Sequence, residues 1–177
     1  TTLELDLGIT KDGVVVIHHD AYLNPAIARD AKGNWVEDKS LLLKEMNYQE
    51  LSRFNIGKLK PGSKYAERFP NQKAEKAQVI PQLSDLFELV KKTGHEDVRF
   101  NIETKINPTK ASATVSPESF VVTLLAVIEK NGMKDRVSIQ SFDWRTLQLV
   151  QEQAPTIPTV YLTAQQRWLD NIGAGKG

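Results

Sequence analysis

The chain has 177 residues, 40% of them hydrophobic, which is enough for one sizeable core and predicts a single domain. Its 23 basic and 22 acidic residues leave a formal net charge of +1, so no overall field favours nucleic acid or an anionic membrane as a partner. The lack of cysteine excludes disulfides and thiolate metal ligands, and no apolar run approaches the roughly 20 residues that span a bilayer.

The first predicted element is a strand at residues 3–7, in which leucines alternate with acids. Side chains on a strand point to opposite faces in turn, so Glu4 and Asp6 share one face and the leucines share the other. Two neighbouring carboxylates repel each other unless a positive charge lies between them or one of them keeps its proton. A strand of this kind more often has a solvated face, so the pair alone does not define a site.

A second strand follows almost at once, at residues 14–19, and we expect a tight turn at Lys11-Asp12-Gly13 between the two. This strand brings His18, His19 and Asp20 to its end. A short hairpin thus places a carboxylate pair near a histidine, an arrangement typical of metal-assisted hydrolysis.

Residues 21–79 form an excursion that resembles an insertion. Turn signals at Asn24-Pro25 and Lys32-Gly33-Asn34 predict irregular structure, and residues 45–54 are predicted as a short helix. Residues 55–79 are rich in glycine, proline and charged residues, and loops of this length are usually functional or mobile.

The rest of the chain alternates between helices and strands. Helices are predicted at residues 83–93, 117–131 with Ser116 as the N-cap, and 143–153 with Asp143 as the cap; strands are predicted at residues 98–104, 136–141 and 158–163. This order predicts an α/β fold with βαβ units and a parallel sheet.

Strand alternation also predicts a polar face for this sheet. On the 98–104 strand, Asn101, Glu103 and, just beyond it, Lys105 share the face opposite the apolar residues, and on the next strand Ser138 and Gln140 do so. The functional sites of such folds lie at the carboxyl ends of the strands, where Glu103 is expected.

Several motifs in the same order resemble the glycerophosphodiester phosphodiesterase family. They are Glu4-Leu5-Asp6, Thr10-Lys11-Asp12-Gly13, the apolar run 14–17, His19-Asp20, Ile80-Pro81-Gln82-Leu83, the segment from Asn101 to Lys105, and Gln140-Ser141-Phe142-Asp143. The resemblance covers about residues 3–162 and implies a (β/α)8 barrel of the TIM type. Such barrels usually take about 250 residues, so residues 1–177 are expected to form a single partial catalytic barrel domain, incomplete at both ends.

The resemblance also implies the roles of particular side chains. Glu4, Asp6 and Glu103 match the carboxylates that hold the family's metal, and such hard oxygen ligands suit one divalent cation, Ca²⁺ or Mg²⁺. Lys105 is expected to contact a phosphate oxygen of the substrate. His19 matches the family's general acid or base, and strand alternation, which puts His18 on the opposite face, leads us to treat His18 as structural.

The implied reaction is the hydrolysis of glycerophosphodiesters to an alcohol and glycerol 3-phosphate. Two family segments, "His-Arg-Gly" with a further histidine and "Glu-Asn-Thr" with a further carboxylate, are not found in these residues, so this chain is expected to lack one catalytic histidine. Two alternatives stay open: an incomplete or non-catalytic barrel piece that binds phosphate or metal, and a lipid phosphodiesterase of the sphingomyelinase D type.

The predicted partner is a small-molecule glycerophosphodiester, with no nucleic acid and no membrane span. The context of Asn24-Pro25 and Gly33-Asn34-Trp35 resembles periplasmic members of the family, so a periplasmic or secreted location is expected, with the cytoplasm as the alternative. Head-group preference and oligomeric state do not follow from the sequence.

Overall fold

The structure, a computed structural model, describes residues 1–167 and 169–173. A sheet with the strand order β2-β1-β3-β4-β5 forms its centre. These strands are β1 (Thr2–Ile9), β2 (Val15–Ile17), β3 (Arg99–Thr104), β4 (Val137–Ser141) and β5 (Thr159–Tyr161). Strands β1, β3, β4 and β5 run parallel, whereas β2 pairs antiparallel with β1 as the second arm of a hairpin. The predicted parallel α/β sheet is therefore confirmed.

Five helices and a small hairpin complete the described elements. The helices are α1 (Tyr48–Leu51), α2 (Lys64–Arg68), α3 (Leu83–Lys92), α4 (Pro117–Lys130) and α5 (Trp144–Gln153), and the hairpin pairs β6 (Gln165–Gln166) with β7 (Leu169–Asp170). Short 3-10 turns lie at Leu43–Glu45, Ala111–Ala113 and Lys134–Arg136. Among the described residues, no helix is both long enough and apolar enough to cross a bilayer.

The helix starts follow the predicted caps. The hydroxyl of Ser116 accepts a hydrogen bond from the backbone of Ser119, and the carboxylate of Asp143 accepts one from the backbone of Arg145. Each cap satisfies an amide that the first turn of a helix leaves without a partner.

One face of the sheet packs against the long helices and forms the main apolar core. Leu7, Ile9 and Val15 lie on this face with Phe100 and Ile102, and Phe87 of α3 contacts Phe100 edge to face, with ring centroids 5.0 Å apart. The leucines that alternate with the acids of β1 are on this side, as the alternation predicts.

The excursion 21–79 is more ordered than the sequence indicates, because its apolar residues form a second cluster with Val16 of β2 and with Ile80. The buried members of this cluster are Val16, Leu23, Ala28, Val36, Leu43, Leu51 and Ile80. Val16 pairs with Gly8 of β1, and directly opposed residues point to the same side of a sheet. The excursion therefore packs on the face that carries Glu4 and Asp6. A Cβ atom at Gly8 would lie 2.7 Å from Cδ1 of Leu43, so the absent side chain allows this close approach.

Three details of the predicted elements are wrong. The helix expected at 45–54 is limited to α1, because Asn47 takes an extended conformation and its backbone N–H donates to Glu50, which starts the helix after Asn47. Strand β2 ends at Ile17 instead of residue 19. The excursion contains α2, for which the sequence pattern gave no prediction.

Candidate metal and phosphodiester site

The register of the sheet places the polar residues of three strands in two rows on the same face. In the first row Asp6 pairs with Glu103, which pairs with Gln140. In the second row Glu4 pairs with Asn101, which pairs with Ser138. Because the three strands are parallel and in register, side chains from distant parts of the chain become neighbours.

The carboxylates of Glu4, Asp6 and Glu103 converge. One ligand oxygen from each lies within 4.8 Å of the others. Glu4 is exposed, Asp6 is half-buried, and Glu103 is only 6% exposed. Three hard oxygen donors at this separation fit a divalent cation of the Ca²⁺ or Mg²⁺ type. The structure thus brings together the three residues that the sequence proposed as ligands.

Lys105 supplies positive charge to this cluster. Its Nζ atom lies 3.1 Å from a carboxylate oxygen of Glu103 and 3.6 Å from one of Asp6, and the side chain is only 20% exposed. One ammonium group faces three carboxylates, so the cluster keeps an excess of negative charge that suits a cation. The predicted contact between Lys105 and a substrate phosphate stays a prediction.

The acids of the cluster are hard to ionise together. Burial, and then repulsion by Asp6, raise the pKa of Glu4. Burial also raises the pKa of Glu103, although the neighbouring Lys105 acts in the opposite direction. A charge cluster that resists ionisation in the absence of a cation is typical of a functional site.

The two histidines that follow β2 have different surroundings. His18 is only 7% exposed, and its Nε2 lies 3.2 Å from the backbone oxygen of Tyr22. The His19 side chain is 67% exposed, and its Nδ1 lies 3.3 Å from a carboxylate oxygen of Asp20. Asp20 also accepts a hydrogen bond of 2.8 Å from the Asn24 side chain, which fixes it in place. Asp20 thus contacts a histidine just beyond the end of the strand.

These surroundings change the basicity of the histidines in opposite directions. Burial lowers the pKa of His18, which favours a neutral ring. The hydrogen bond with Asp20 raises the pKa of His19, and the charge of His19 acts on both Asp6 and Glu4. His19 is therefore the accessible, basic imidazole beside the carboxylates.

Strand alternation predicts His19 for the site, but β2 ends before the two histidines, so the alternation does not extend to them. Val15 and Ile17 pack on the helix-facing core, so a strand continued to residue 19 would carry His19 into that core. Instead β2 ends at Ile17 and the chain bends after the backbone N–H of His18 donates to the carbonyl of Asp6. This bend, which the sequence pattern does not show, places His19 at the site.

Sequence reasoning assigned no role to Gln140 and Asn101, although alternation placed both on the polar face. Gln140 Nε2 donates to Glu4 Oε1 at 2.9 Å, and Asn101 Nδ2 donates to Gln140 Oε1 at 2.8 Å. The available signal was the shared face alone. The contact crosses from β4 to β1 above the intervening β3, and only the strand order reveals it.

Comparison with known proteins identifies the family. The family model of the glycerophosphoryl diester phosphodiesterases matches residues 1–173. The chain belongs to this family. The membership that the motifs predicted is thereby confirmed.

Two relatives with similar sequences are named glycerophosphodiester phosphodiesterases. A glycerophosphodiester phosphodiesterase of Caldanaerobacter subterraneus is 30% identical over 86% of this chain and 51% of its own length. One from Bacillus subtilis is 31% identical over 90% of this chain and 48% of its own length. The chain therefore spans about half the length of the curated relatives that it matches.

The fold is shared as well. A solved structure of a Silicibacter pomeroyi protein, assigned to the glycerophosphoryl diester phosphodiesterases, matches 99% of this chain and 59% of its own with 30% identity and a TM-score of 0.86. The family architecture predicted from the sequence, a (β/α) barrel of the TIM type, is confirmed by this similarity. In the part of the chain that the structure describes, the sheet is open, with β2 and β5 as its outer strands.

Proposed function

We propose that the protein is a metal-dependent hydrolase that cleaves glycerophosphodiesters to an alcohol and glycerol 3-phosphate. The convergence of Glu4, Asp6 and Glu103 beside His19 and Lys105 is the observation that carries this proposal. Family membership supports the reaction class.

The three carboxylates would hold one divalent cation, Ca²⁺ or Mg²⁺. When bound, the cation neutralises negative charge on the nonbridging phosphate oxygens as the ester bond breaks. Without it, the net negative cluster would repel a phosphodiester, which is itself an anion. The carboxylates thus act by holding positive charge where the phosphate must lie.

Lys105 provides a second positive group for the phosphate. Its ammonium lies on the same sheet face as the carboxylates and bridges Asp6 and Glu103. A lysine on a flexible stem can turn toward an anion while it stays close to these partners. We assign Lys105 to a nonbridging oxygen of the substrate.

His19 is the proposed proton donor and acceptor. Asp20 lies against Nδ1 and orients the ring, so Nε2 is the nitrogen that exchanges a proton with a substrate oxygen. Because the hydrogen bond with Asp20 raises the pKa of His19, a larger share of the ring is protonated near neutral pH, which suits a general acid for the leaving alcohol.

Related proteins support the substrate class. An Oleispira antarctica phosphodiesterase with the same fold, at a TM-score of 0.62, was solved with its product sn-glycerol-3-phosphate. The "His-Arg-Gly" and "Glu-Asn-Thr" segments of the family are not found in these 177 residues, so the reaction is proposed for the full-length protein. A periplasmic or secreted location stays a prediction.

The test is an assay of glycerol 3-phosphate release from glycerophosphocholine by the full-length protein, with Mg²⁺, with Ca²⁺ and with EDTA. We expect EDTA to abolish the activity and Glu103→Gln to do the same. His19→Asn should lower kcat about 10²–10⁴-fold, the usual contribution of a general acid or base. His95→Asn is the matched control. His95 is exposed and precedes β3, so it lies at the end of this strand opposite to the candidate site.

Two results would contradict the proposal. Activity that survives EDTA rules out the cation, and full activity of the His19 variant rules out its role. Release of choline from sphingomyelin tests the lipid phosphodiesterase alternative, and cation binding without any turnover would identify a non-catalytic barrel.

A further inference from the structure

Glu4 lies at the end of a continuous chain of side-chain hydrogen bonds. The hydroxyl of Ser138 donates to Oδ1 of Asn101 at 2.9 Å, and Nδ2 of Asn101 donates to Oε1 of Gln140 at 2.8 Å. Nε2 of Gln140 then donates to Oε1 of Glu4 at 2.9 Å. The chain crosses three strands on the face that carries the candidate site.

This chain can run in one direction only. An ionised carboxylate accepts hydrogen bonds and cannot donate, so Gln140 must turn its NH₂ group toward Glu4. The oxygen of Gln140 then needs a donor, which the NH₂ group of Asn101 supplies, and the oxygen of Asn101 accepts in turn from Ser138. A reversal of either amide would place two oxygens against each other, so the carboxylate determines both amide orientations.

Glu4 needs such a tether more than its two neighbours do. It is the exposed member of the three, and the charge of Asp6 repels it. A flexible exposed side chain in that position would otherwise turn away from the cluster to lower the repulsion. The bond from Gln140 holds one oxygen of the carboxylate and leaves the other for a cation.

We propose that Gln140 is a positioning residue for the cation site, which it serves by holding Glu4 toward Asp6 and Glu103, and that Asn101 and Ser138 fix the orientation of Gln140. This inference rests on the cation site of the proposed function. Partners that orient metal ligands typically contribute about 10–100-fold to metal affinity.

The first test measures the binding of Mg²⁺ and of Ca²⁺ to the full-length protein by titration calorimetry, without substrate. Gln140→Met keeps the length of the side chain and removes its hydrogen bonds, and we expect cation binding at least about 10-fold weaker. Gln148→Met is the matched control, since Gln148 is exposed on α5, and it should bind as the wild type does. Thermal unfolding without cation shows that each variant is folded.

A second variant tests the direction of the chain. Asn101→Asp keeps the shape of the side chain but, when ionised at about pH 8, cannot donate to Gln140. It should attract the NH₂ group of Gln140 and turn the Gln140 oxygen toward Glu4. An added negative charge by itself would tighten cation binding, whereas loss of the chain should weaken it, so the two effects have opposite signs.

The outcomes separate the inference from the function it rests on. If the wild type binds the cation and Gln140→Met binds it with the same affinity, the positioning role is wrong and the cation site stands. The same conclusion follows if Asn101→Asp binds the cation more tightly than the wild type does. Absence of cation binding in the wild type overturns the cation site and the positioning role together. If Gln140→Met does not fold, Asn101→Asp decides the question.

Discussion

At the scale of single residues, the main destabilising effect is the repulsion among the carboxylates of the candidate site. The carboxylates of Glu4, Asp6 and Glu103 lie close together. The ammonium group of Lys105 contacts two of them, those of Asp6 and Glu103. Such a cluster costs folding stability when no ion is bound, because repulsion and burial disfavour the charged forms. Under the proposed function, this stability is given up for the capacity to bind a cation.

The cost can be measured at Glu4. Burial and repulsion by Asp6 raise the pKa of Glu4, so the charged form of this side chain lowers stability at pH values above the folded pKa. We expect Glu4→Gln to leave the melting temperature of the cation-free protein unchanged or slightly higher, since Glu4 is exposed and the effect is small. We also expect Mg²⁺ or Ca²⁺ to raise the melting temperature of the wild type and to leave that of Glu4→Gln unchanged. A clear drop in the cation-free melting temperature would contradict this account.

His18 should make stability depend on pH in a defined window. Burial lowers its pKa from the ordinary value of 6.5, so between these two values the unfolded chain binds more protons than the folded one. The contribution of His18 is therefore complete above about pH 6.5 and is lost as the pH falls below it. We expect the melting temperature to fall from pH 6.5 downward, with a shallower slope in His18→Gln.

His95→Gln is the control for this measurement, because His95 is exposed. It should keep the wild-type slope. Equal slopes in all three proteins would show that His18 is accessible to protons in the folded state.

At the scale of elements, strand β1 links the two apolar clusters of the molecule. Its leucines and Ile9 pack on the helix-facing core, and its opposite face carries the acids and Gly8. The excursion approaches this second face through Leu43, which is only 2% exposed. The contact between the backbone of Gly8 and the buried side chain of Leu43 thus fixes the position of the excursion beside the site.

This contact can be tested with a double-mutant cycle. Gly8→Ala brings a methyl group against Leu43 and should destabilise by about 1–3 kcal/mol, as overpacking does. Leu43→Ala should cost about 2–5 kcal/mol as a buried cavity. The double variant should lose less than the sum, because the smaller side chain makes room for the added methyl group. Additive losses in urea unfolding would show that the two positions are not in contact.

At the scale of the whole molecule, stability is unevenly distributed. The helix-facing core involves most of the sheet and the long helices, whereas the excursion depends on a smaller cluster. Residues 71–79 are exposed throughout. Segments with few buried contacts open at lower free energy than the sheet does.

Limited trypsin digestion should report this difference. We expect the earliest cuts after Lys73 and Lys76, within the exposed run. Much later cuts are expected after Arg99, the first residue of β3, and after Arg136, which precedes β4. The variant Lys73→Gln/Lys76→Gln should slow the first cut. Early cleavage beside the sheet strands would indicate that the sheet, and not the excursion, is the weaker part.

Much of the fold could be predicted from local patterns. The caps at Ser116 and Asp143 determine where two helices begin, and period-two alternation on β1 and β3 places Glu4, Asp6 and Glu103 on a common face. The excursion could not be predicted in this way. Its order depends on an apolar cluster whose members are far apart in the sequence, from Val16 of β2 to Ile80, and no periodic signal exists for such a cluster.

The sequence alone determined the family and the α/β class, and it proposed Glu4, Asp6, His19, Glu103 and Lys105 for the candidate site, because these depend on residue type and short spacing. Tertiary structure alone decided three points. It ended β2 at Ile17, so that His19 lies near the carboxylates; it packed the excursion on their face; and it placed Gln140 within reach of Glu4. The reason is physical: alternation assigns a residue to a face, whereas strand order, register and chain bends determine which residues of that face meet.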